Sequence, residues 1–226
     1  VDMFSDLYLS KNLAWRLTVR DFKGQYRQSY LGILWVFVSP LMTASVWIFL
    51  NYFGAVKLAD TGIPYPVYVF TGTMLWAVLI ESINTPLQQT NNSKGIMGKV
   101  NFPKEAILLS GLYNIFFNTL IKLVILVIVL LIMGIMPTIQ FLFVPVAFLS
   151  IILFGFTLGL ITTPISMLYT DISRAIPLLM QFIMYLSPVV YSVTGTGVLP
   201  KLVKMNPISS LITTGRSSLT GLPFDD

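Results

Sequence analysis

The sequence contains no cysteine and no histidine, and few of its residues are charged. Without cysteine, disulfides, thiolate metal sites and cysteine nucleophiles are excluded. Without histidine, the side chain that most often acts as a general base near neutral pH and as a metal ligand is also missing. Soluble domains carry about 25% charged residues, whereas this chain has 10% charged and 55% hydrophobic residues. The excess of apolar surface predicts a protein that faces lipid.

Long apolar runs dominate the sequence instead. A bilayer core is crossed by about 20 helical residues, and five stretches meet or approach that length: residues 31–53, 65–83, 106–133, 141–169 and 176–191. The predicted fold class is therefore all-α, a polytopic transmembrane helix bundle with five spans that form a single domain over residues 1–226. Gly155 and Gly159 have a G-x-x-x-G spacing, for which both ordinary packing and a dimer face remain open.

The basic residues are distributed unevenly between the two sides of the predicted spans. Nine Lys or Arg residues lie before the first span or in the loops after the second and fourth spans, against four on the other side. Because loops on the cytoplasmic side are enriched in Lys and Arg, we expect a cytoplasmic N-terminus and an external segment over residues 193–226. Its two apolar runs, 198–203 and 208–214, are too short to cross a bilayer and predict interfacial or re-entrant helices.

The N-terminal segment, residues 1–30, carries two parallel stripes at helical spacing. The aromatic and apolar stripe consists of Trp15, Val19, Phe22, Tyr26 and Tyr30, and the basic stripe of Arg16, Arg20, Lys23 and Arg27. This pattern is typical of an amphipathic helix that lies in the membrane interface. Such a helix is either a plain positive-inside anchor or a helix that borders a substrate entry site or a partner subunit, and the two roles are compatible.

A long polar and basic loop is predicted between the second and third spans, over residues 84–105. Its Gly-Ile-Met-Gly-Lys-Val run, residues 95–100, lacks the spacing and the Ser or Thr of a phosphate-binding loop. Nucleotide binding by this chain is therefore not predicted, and the loop is interpreted as a docking surface. Nucleic acid is not an expected partner either, since no basic soluble domain is present.

Charged residues inside or beside the spans are few. Lys122 lies well within the third span, where a cation is costly unless it faces a cavity or a partner; the alternative is a side chain that snorkels to the interface. Glu81 is placed at a different depth, near the end of the second span, so it is not predicted to pair with Lys122. Asp171 and Arg174 lie in the loop between the fourth and fifth spans, where a local ion pair or a contact to another subunit is expected.

Several motifs, in order along the chain, resemble those of one family. Residues 20–35, R-D-F-K-G-Q-Y-R-Q-S-Y-L-G-I-L-W, followed by Pro40, resemble the opening motif of polysaccharide ABC exporter permeases, the transmembrane subunits for export of O-antigen, capsular polysaccharide or teichoic acid. Further matching motifs are P-Y-P at 64–66 with Gly72, K-V-N-F-P-K-E at 99–105, Y-T-D-I at 169–172, S-P-V-V-Y at 187–191 and N-P-I at 206–208 with Arg216.

The resemblance implies a homodimeric, multi-pass permease in the cytoplasmic (inner) membrane, surrounded by membrane lipid and moving a lipid-linked polysaccharide. Two cytoplasmic ABC ATPase subunits would bind ATP and magnesium, so no cofactor and no catalytic residue is expected in this chain, which is not an enzyme. It also implies short gate helices on the external side and then a sixth span, and the sequence shows no sixth apolar run before Asp226.

Residue roles follow from the same resemblance, motif by motif. The interface helix near the substrate entry would use Arg20, Lys23, Tyr26 and Arg27, together with Trp15 of the aromatic stripe. Coupling to the ATPase would involve Lys99, Phe102, Pro103 and Glu105, with Asp171 and Arg174 of the later loop. The outer gate would involve Asn206, Pro207 and Arg216. Lys122 is the candidate for the substrate pathway because of its position within the third span.

Three other functions are alternatives to a polysaccharide exporter. A permease for a drug or a simple lipid is the alternative within transport. A membrane enzyme such as a glycan polymerase is disfavoured, because the predicted external segments hold only Asp60, Asp225 and Asp226 as acidic residues. A structural scaffold would have no need for the docking loop.

Overall fold

The structure is a computed structural model that describes residues 3–27, 32–54, 61–97, 104–193 and 197–224. The described residues form α-helices with two short 3₁₀ turns and contain no strand, so the predicted all-α class is confirmed. The helices are α1 (Met3–Arg27), α2 (Trp35–Tyr52), α3 (Tyr65–Met97), α4 (Lys104–Ile132), α5 (Val144–Leu168), α6 (Thr170–Tyr185), α7 (Val198–Met205) and α8 (Pro207–Thr220). The 3₁₀ turns, Gly32–Leu34 and Ile139–Phe143, lead into α2 and α5.

Among the described helices, four are long and apolar enough to cross a membrane, and they correspond to the first four predicted spans. They are α2, α3 as far as Ser93, α4 from Glu105, and α5 with the 3₁₀ turn before it. The fifth predicted span, residues 176–191, is wrong in its limits. Helix α6 has 16 residues and ends at Tyr185, because Pro188 has no N–H to continue the helical ladder and disfavours helical backbone in the residue before it.

The central element of the bundle is α3, against which α2, α4, α5, α6 and α8 pack. Its apolar part is mostly buried, and Leu75, Val78 and Leu79 are fully enclosed. The prediction that this span ends at residue 83 and is followed by a loop is wrong. The sequence becomes polar at Asn84, but the helix continues to Met97. Polar side chains such as Gln, Asn and Thr suit this part of the helix to polar surroundings rather than to lipid, and they leave the backbone hydrogen bonds of the helix in place.

Helices α3 and α5 approach each other closely at two glycines. A Cβ atom added at Gly155 would lie 2.7 Å from the Cβ of Ser82, and one added at Gly159 would lie 2.9 Å from Cγ of Pro86. Contacts this short are possible only without a side chain. The G-x-x-x-G spacing therefore serves packing within the chain, and these two glycines do not form a dimer face.

The N-terminal helix α1 packs against the first half of α4. Its buried face is a row of small residues, Ser10, Ala14 and Thr18, and the Thr18 hydroxyl donates to the carbonyl oxygens of Ala14 (2.9 Å) and Ser110 (3.4 Å). Of the aromatic stripe, Trp15 is exposed and Val19 and Phe22 are half-buried, so these three lie beside this face rather than on it. The location of α1 in the membrane interface stays a prediction.

The two short helices expected in the C-terminal segment are confirmed as α7 and α8. Asn206 separates them, and its side-chain oxygen accepts a hydrogen bond of 3.0 Å from the backbone N–H of Ile208, which caps the N-terminus of α8. Pro207 occupies the first turn of α8, where no N–H is needed. Helix α8 packs against α3 and α5, which brings its Arg216 into the bundle.

Candidate functional site

Two adjoining cavities lie between α2, α3, α4 and α6. The first, here called the polar cavity, has a volume of about 340 Å³ and is lined by Trp35, Val36, Glu81, Thr85, Gln88, Gln89, Asn92, Asn114, Asn118 and Lys122. The second, here called the aromatic cavity, has a volume of about 540 Å³ and shares Val36, Glu81 and Lys122 with the first. The shared residues make one groove along the bundle, with Glu81 and Lys122 at its junction.

Glu81 and Lys122 form an ion pair between α3 and α4. The amide of Asn118, one turn before Lys122, donates to the other carboxylate oxygen at 2.5 Å. The expectation that Glu81 and Lys122 do not pair is therefore wrong. It assumed that the span ends just after Glu81, whereas α3 continues to Met97 and places Glu81 at the level of Lys122.

The ion pair explains how charges are tolerated inside the bundle. The Lys122 side chain is only 5% exposed and that of Glu81 22% exposed, and an isolated charge at such a site is strongly destabilised. Each side chain compensates the other, and the Asn118 amide adds a charge-assisted hydrogen bond. Lys122 is therefore paired and also lines the groove, whereas its role in a substrate pathway stays a prediction.

The two cavities offer different chemistry. The polar cavity is lined mainly by amide side chains, together with the hydroxyl of Thr85, and these groups donate and accept hydrogen bonds. The aromatic cavity contains Trp47, Trp76 and Tyr185, and the rings of Trp47 and Tyr185 lie 6.2 Å apart. The groove therefore suits a molecule with both hydroxyl groups and apolar ring faces.

A second cluster, here called the latch, consists of Tyr65, Tyr68, Asn206 and Arg216 around residues 187–191. This segment has left the helix, so its carbonyl groups need partners from elsewhere. Three are supplied by side chains: Tyr65 donates to Val190 O (3.0 Å), Tyr68 to Tyr191 O (3.0 Å) and Arg216 to Val189 O (2.7 Å). The Ser-Pro-Val-Val-Tyr motif is thus held by α3 and α8.

Arg216 is the most enclosed member of the latch, with 2% of its surface exposed. Its guanidinium carbon lies 3.7 Å from the centre of the Tyr68 ring, a cation–π arrangement that stabilises a desolvated cation. Asn206 completes the cluster by donating to the Ser187 hydroxyl at 3.0 Å. Two of the three residues assigned to the outer gate, Asn206 and Arg216, therefore bind the same segment, residues 187–191. Pro207 follows Asn206 at the start of α8.

Among the residues predicted for the interface helix, Trp15, Arg20 and Lys23 have described side chains, and their environments differ. Arg20 and Asp21 form an ion pair of 2.7 Å, and Gln89 of α3 donates to Asp21 at 3.3 Å. Trp15 is half exposed, and its ring lies against the rings of Tyr113 and Phe117 on α4. Lys23 is exposed. The side chains of Tyr26 and Arg27 are outside the described part of the structure.

The residues predicted for ATPase coupling are only partly described. Lys99, Phe102 and Pro103 lie outside the described residues, whereas Glu105 is in the first turn of α4 and Asp171 in the first turn of α6. Acidic residues at these positions complement the helix dipole. Arg174 is exposed, and the described ion pairs do not include the expected one between Asp171 and Arg174. Asn91 of α3 donates to Ser173 of α6 at 2.9 Å, so the end of α3 lies beside the start of α6.

Comparison with known proteins identifies the family. The family model described as ABC-2 type transporter matches residues 12–219. The chain belongs to the ABC-2 type transporter family. This membership and the apolar helices make it a multi-pass membrane transport protein. In the residues described for this transporter, no three His, Cys, Asp or Glu side chains come together as a metal site would need.

Curated relatives of this ABC-2 transporter carry a common name. The O-antigen export system permease protein RfbA of Myxococcus xanthus is 24% identical over 216 residues, covering 94% of this chain and 82% of that protein. Two proteins of the same name from Klebsiella pneumoniae are 25% and 24% identical over 206 residues, covering 88% of this chain and 77% of each relative. The similarity thus extends over nearly the whole transporter chain.

The sequence does not assign Tyr65, Tyr68 or Asn118 to the two clusters of this ABC-2 transporter, and it places Glu81 without its partner. Tyr65 belongs to a motif and Tyr68 carries no signal of its own, because a tyrosine in an apolar helix is equally typical of packing. Glu81 had a usable signal, since an acidic residue inside an apolar helix indicates a function or a partner. Asn118 had the weaker signal of lying one helical turn from Lys122.

Proposed function

We propose that the chain is the permease subunit of an ATP-driven exporter that moves a lipid-linked polysaccharide across the cytoplasmic membrane. The observation that carries this proposal is the name shared by the relatives, O-antigen export system permease, over at least 88% of the chain. The groove supports it. Amide and hydroxyl side chains in the polar cavity complement sugar hydroxyls, and the rings of the aromatic cavity complement the apolar faces of sugar rings.

The energy source in this proposal is a separate cytoplasmic ABC ATPase that binds ATP and magnesium, and the permease acts as a homodimer. The coupling surface combines Lys99, Phe102, Pro103 and Glu105 with Asp171 and Arg174. The hydrogen bond between Asn91 and Ser173 supports this grouping, because it fixes the end of α3 next to the start of α6. One partner surface can therefore touch both segments.

The orientation in this proposal places the N-terminus and the coupling surface in the cytoplasm of the cell and the latch on the outer side of the membrane. The uneven distribution of basic residues supports it. In this orientation α1, with Trp15, Arg20, Lys23, Tyr26 and Arg27, borders the entry of the lipid-linked substrate. Asn206, Pro207 and Arg216 hold the external end of the path. Export of a simple lipid is the weaker alternative, because an acyl chain makes no use of the amides in the polar cavity.

The ATPase partner is tested by co-purification of the full-length permease from its native cells. We expect an ABC ATPase to be recovered in amounts comparable to the permease, and the variants Glu105→Lys and Arg174→Glu to reduce its recovery. The matched control is Lys201→Glu, which changes an exposed charge on α7 and leaves recovery unchanged. If the wild-type permease is purified intact without any ATPase, the proposed function is wrong.

A further inference from the structure

The charges that line the polar cavity cancel. Among its described lining residues, Glu81 and Lys122 are the ones with charged side chains, and they are joined to each other. A cavity built to hold a phosphate or a carboxylate normally presents a surplus of positive charge or of converging N–H donors. Here the one cation is already compensated by the carboxylate.

The two charges are also not equally accessible. The Lys122 side chain is 5% exposed and the Glu81 side chain 22% exposed, so a molecule in the cavity meets the carboxylate before the ammonium. An ionised carboxylate only accepts hydrogen bonds. Each Glu81 oxygen already accepts one hydrogen bond, one from Lys122 and the other from Asn118, and a carboxylate has about four acceptor sites in all. A ligand that donates hydrogen bonds can occupy the remaining sites.

The remaining lining fits the same type of ligand. Gln88 and Asn92 each offer an amide that donates and accepts. Trp35 is more than half exposed and presents an apolar ring against which the C–H face of a sugar can lie. Sugar hydroxyls donate to carboxylates and amide oxygens, whereas a sugar phosphate or a uronic acid brings a second negative charge beside Glu81, where like charges repel in a poorly solvated site.

We infer that the polar cavity binds uncharged, hydroxyl-rich sugar units and that Glu81 excludes anionic ones. This inference rests on the proposed function and narrows it: the exported polymer is a neutral glycan rather than a polyol phosphate or a polyuronic acid. Glu81 is thus a residue that determines specificity, and Lys122 holds the Glu81 carboxylate in place and keeps the cavity neutral.

The test is a binding measurement on the purified full-length permease in phosphatidylcholine nanodiscs, by titration calorimetry. The probes are maltotriose, a neutral trisaccharide, and trigalacturonate, an anionic trisaccharide of the same length. We expect the wild type to bind maltotriose at least about tenfold more tightly. Equal or tighter binding of trigalacturonate, or no binding of either sugar, overturns the inference.

Two variants assign the preference to Glu81. Glu81→Gln leaves the Lys122 ammonium uncompensated, so the preference is expected to reverse in favour of trigalacturonate. The double variant Glu81→Gln/Lys122→Met removes both charges and avoids an unpaired one, and its preference is expected to fall to within about threefold. Lys201→Met, a charge removal on α7 outside the cavity, is the control and keeps the wild-type ratio. A wild-type ratio in the double variant contradicts the role of Glu81.

The binding test and the co-purification test examine different claims, so either one can fail while the other succeeds. Calorimetry requires neither the ATPase nor export. A permease that prefers maltotriose but has no ATPase partner contradicts the proposed function alone. A permease that recruits an ATPase but prefers trigalacturonate contradicts the present inference alone.

Discussion

At the scale of single residues, Glu81 and Lys122 depend on each other. Each side chain is largely buried, and the ammonium is the more enclosed of the two. Removing one partner leaves an uncompensated charge, whereas removing both leaves none. The stability of the variants should therefore not be additive.

The first prediction concerns this non-additivity. Glu81→Gln is expected to lower the free energy of unfolding by about 3–5 kcal/mol, and Lys122→Met by less, because the Glu81 carboxylate it strands is more exposed. The double variant should be closer to the wild type than Glu81→Gln. Thermal unfolding of the four proteins in one detergent measures this order. Additive losses in the double variant would show that the two charges are not coupled.

Gly72 shows a different constraint, the close approach of backbone to side chains. A Cβ atom at this position would collide with the carbonyl oxygen of Val189 and the guanidinium of Arg216. These two groups form one of the hydrogen bonds of the latch. Only glycine lets α3 pass so near to residues 187–191.

The second prediction uses two glycines of the same helix. Gly72→Ala is expected to destabilise the protein by about 1–3 kcal/mol, since α3 or the latch must shift. Gly95→Ala is the control, because a Cβ there meets nothing within 4 Å, and alanine should favour the helix by about 0.5–1 kcal/mol. The midpoints of thermal unfolding should move in opposite directions. A Gly72→Ala protein as stable as the wild type would argue against the latch.

At the scale of helices, hydropathy predicted where the chain is apolar but not where each helix ends. The first four spans were found because burial in lipid requires long apolar runs. The extent of α3 was missed, since Asn84 to Met97 are polar but still compatible with a helix. The predicted end of the span at residue 83 also puts Glu81 and Lys122 at different depths, so the sequence does not predict their ion pair.

The third prediction concerns the contact of α3 with α5. Gly159→Ala is expected to cost about 1–3 kcal/mol, because its Cβ would press against Pro86 and the backbone of Ile83. Ser150→Ala on the same helix is the control: its hydroxyl donates to the carbonyl of Val146 one turn earlier, a bond within the helix, so little change is expected. Unfolding in detergent compares the two. Equal stability of both variants would contradict the close crossing.

At the scale of the whole molecule, sequence reasoning identified the family and the helical bundle but not the two clusters. The latch joins Tyr65 and Tyr68 to residues more than a hundred positions later, and no periodicity in the sequence predicts such a contact. The resemblance did mark Asn206 and Arg216, which lie together in the structure.

The fourth prediction tests the orientation. Because the chain has no cysteine, a single introduced thiol reports its own accessibility. Met136→Cys, in the exposed segment between α4 and α5, should react with a membrane-impermeant maleimide in intact cells. Gly95→Cys, exposed near the end of α3, should react only after the cells are opened. The reverse pattern would invert the proposed orientation.

The central claim, that this permease exports a polysaccharide, is tested most directly by following the polymer in native cells that lack the permease. We predict that the polymer disappears from the cell surface and accumulates inside, protected from an externally added glycan-degrading enzyme, and that the wild-type gene restores it to the surface. Unchanged surface polymer, with none accumulating inside, would contradict the account.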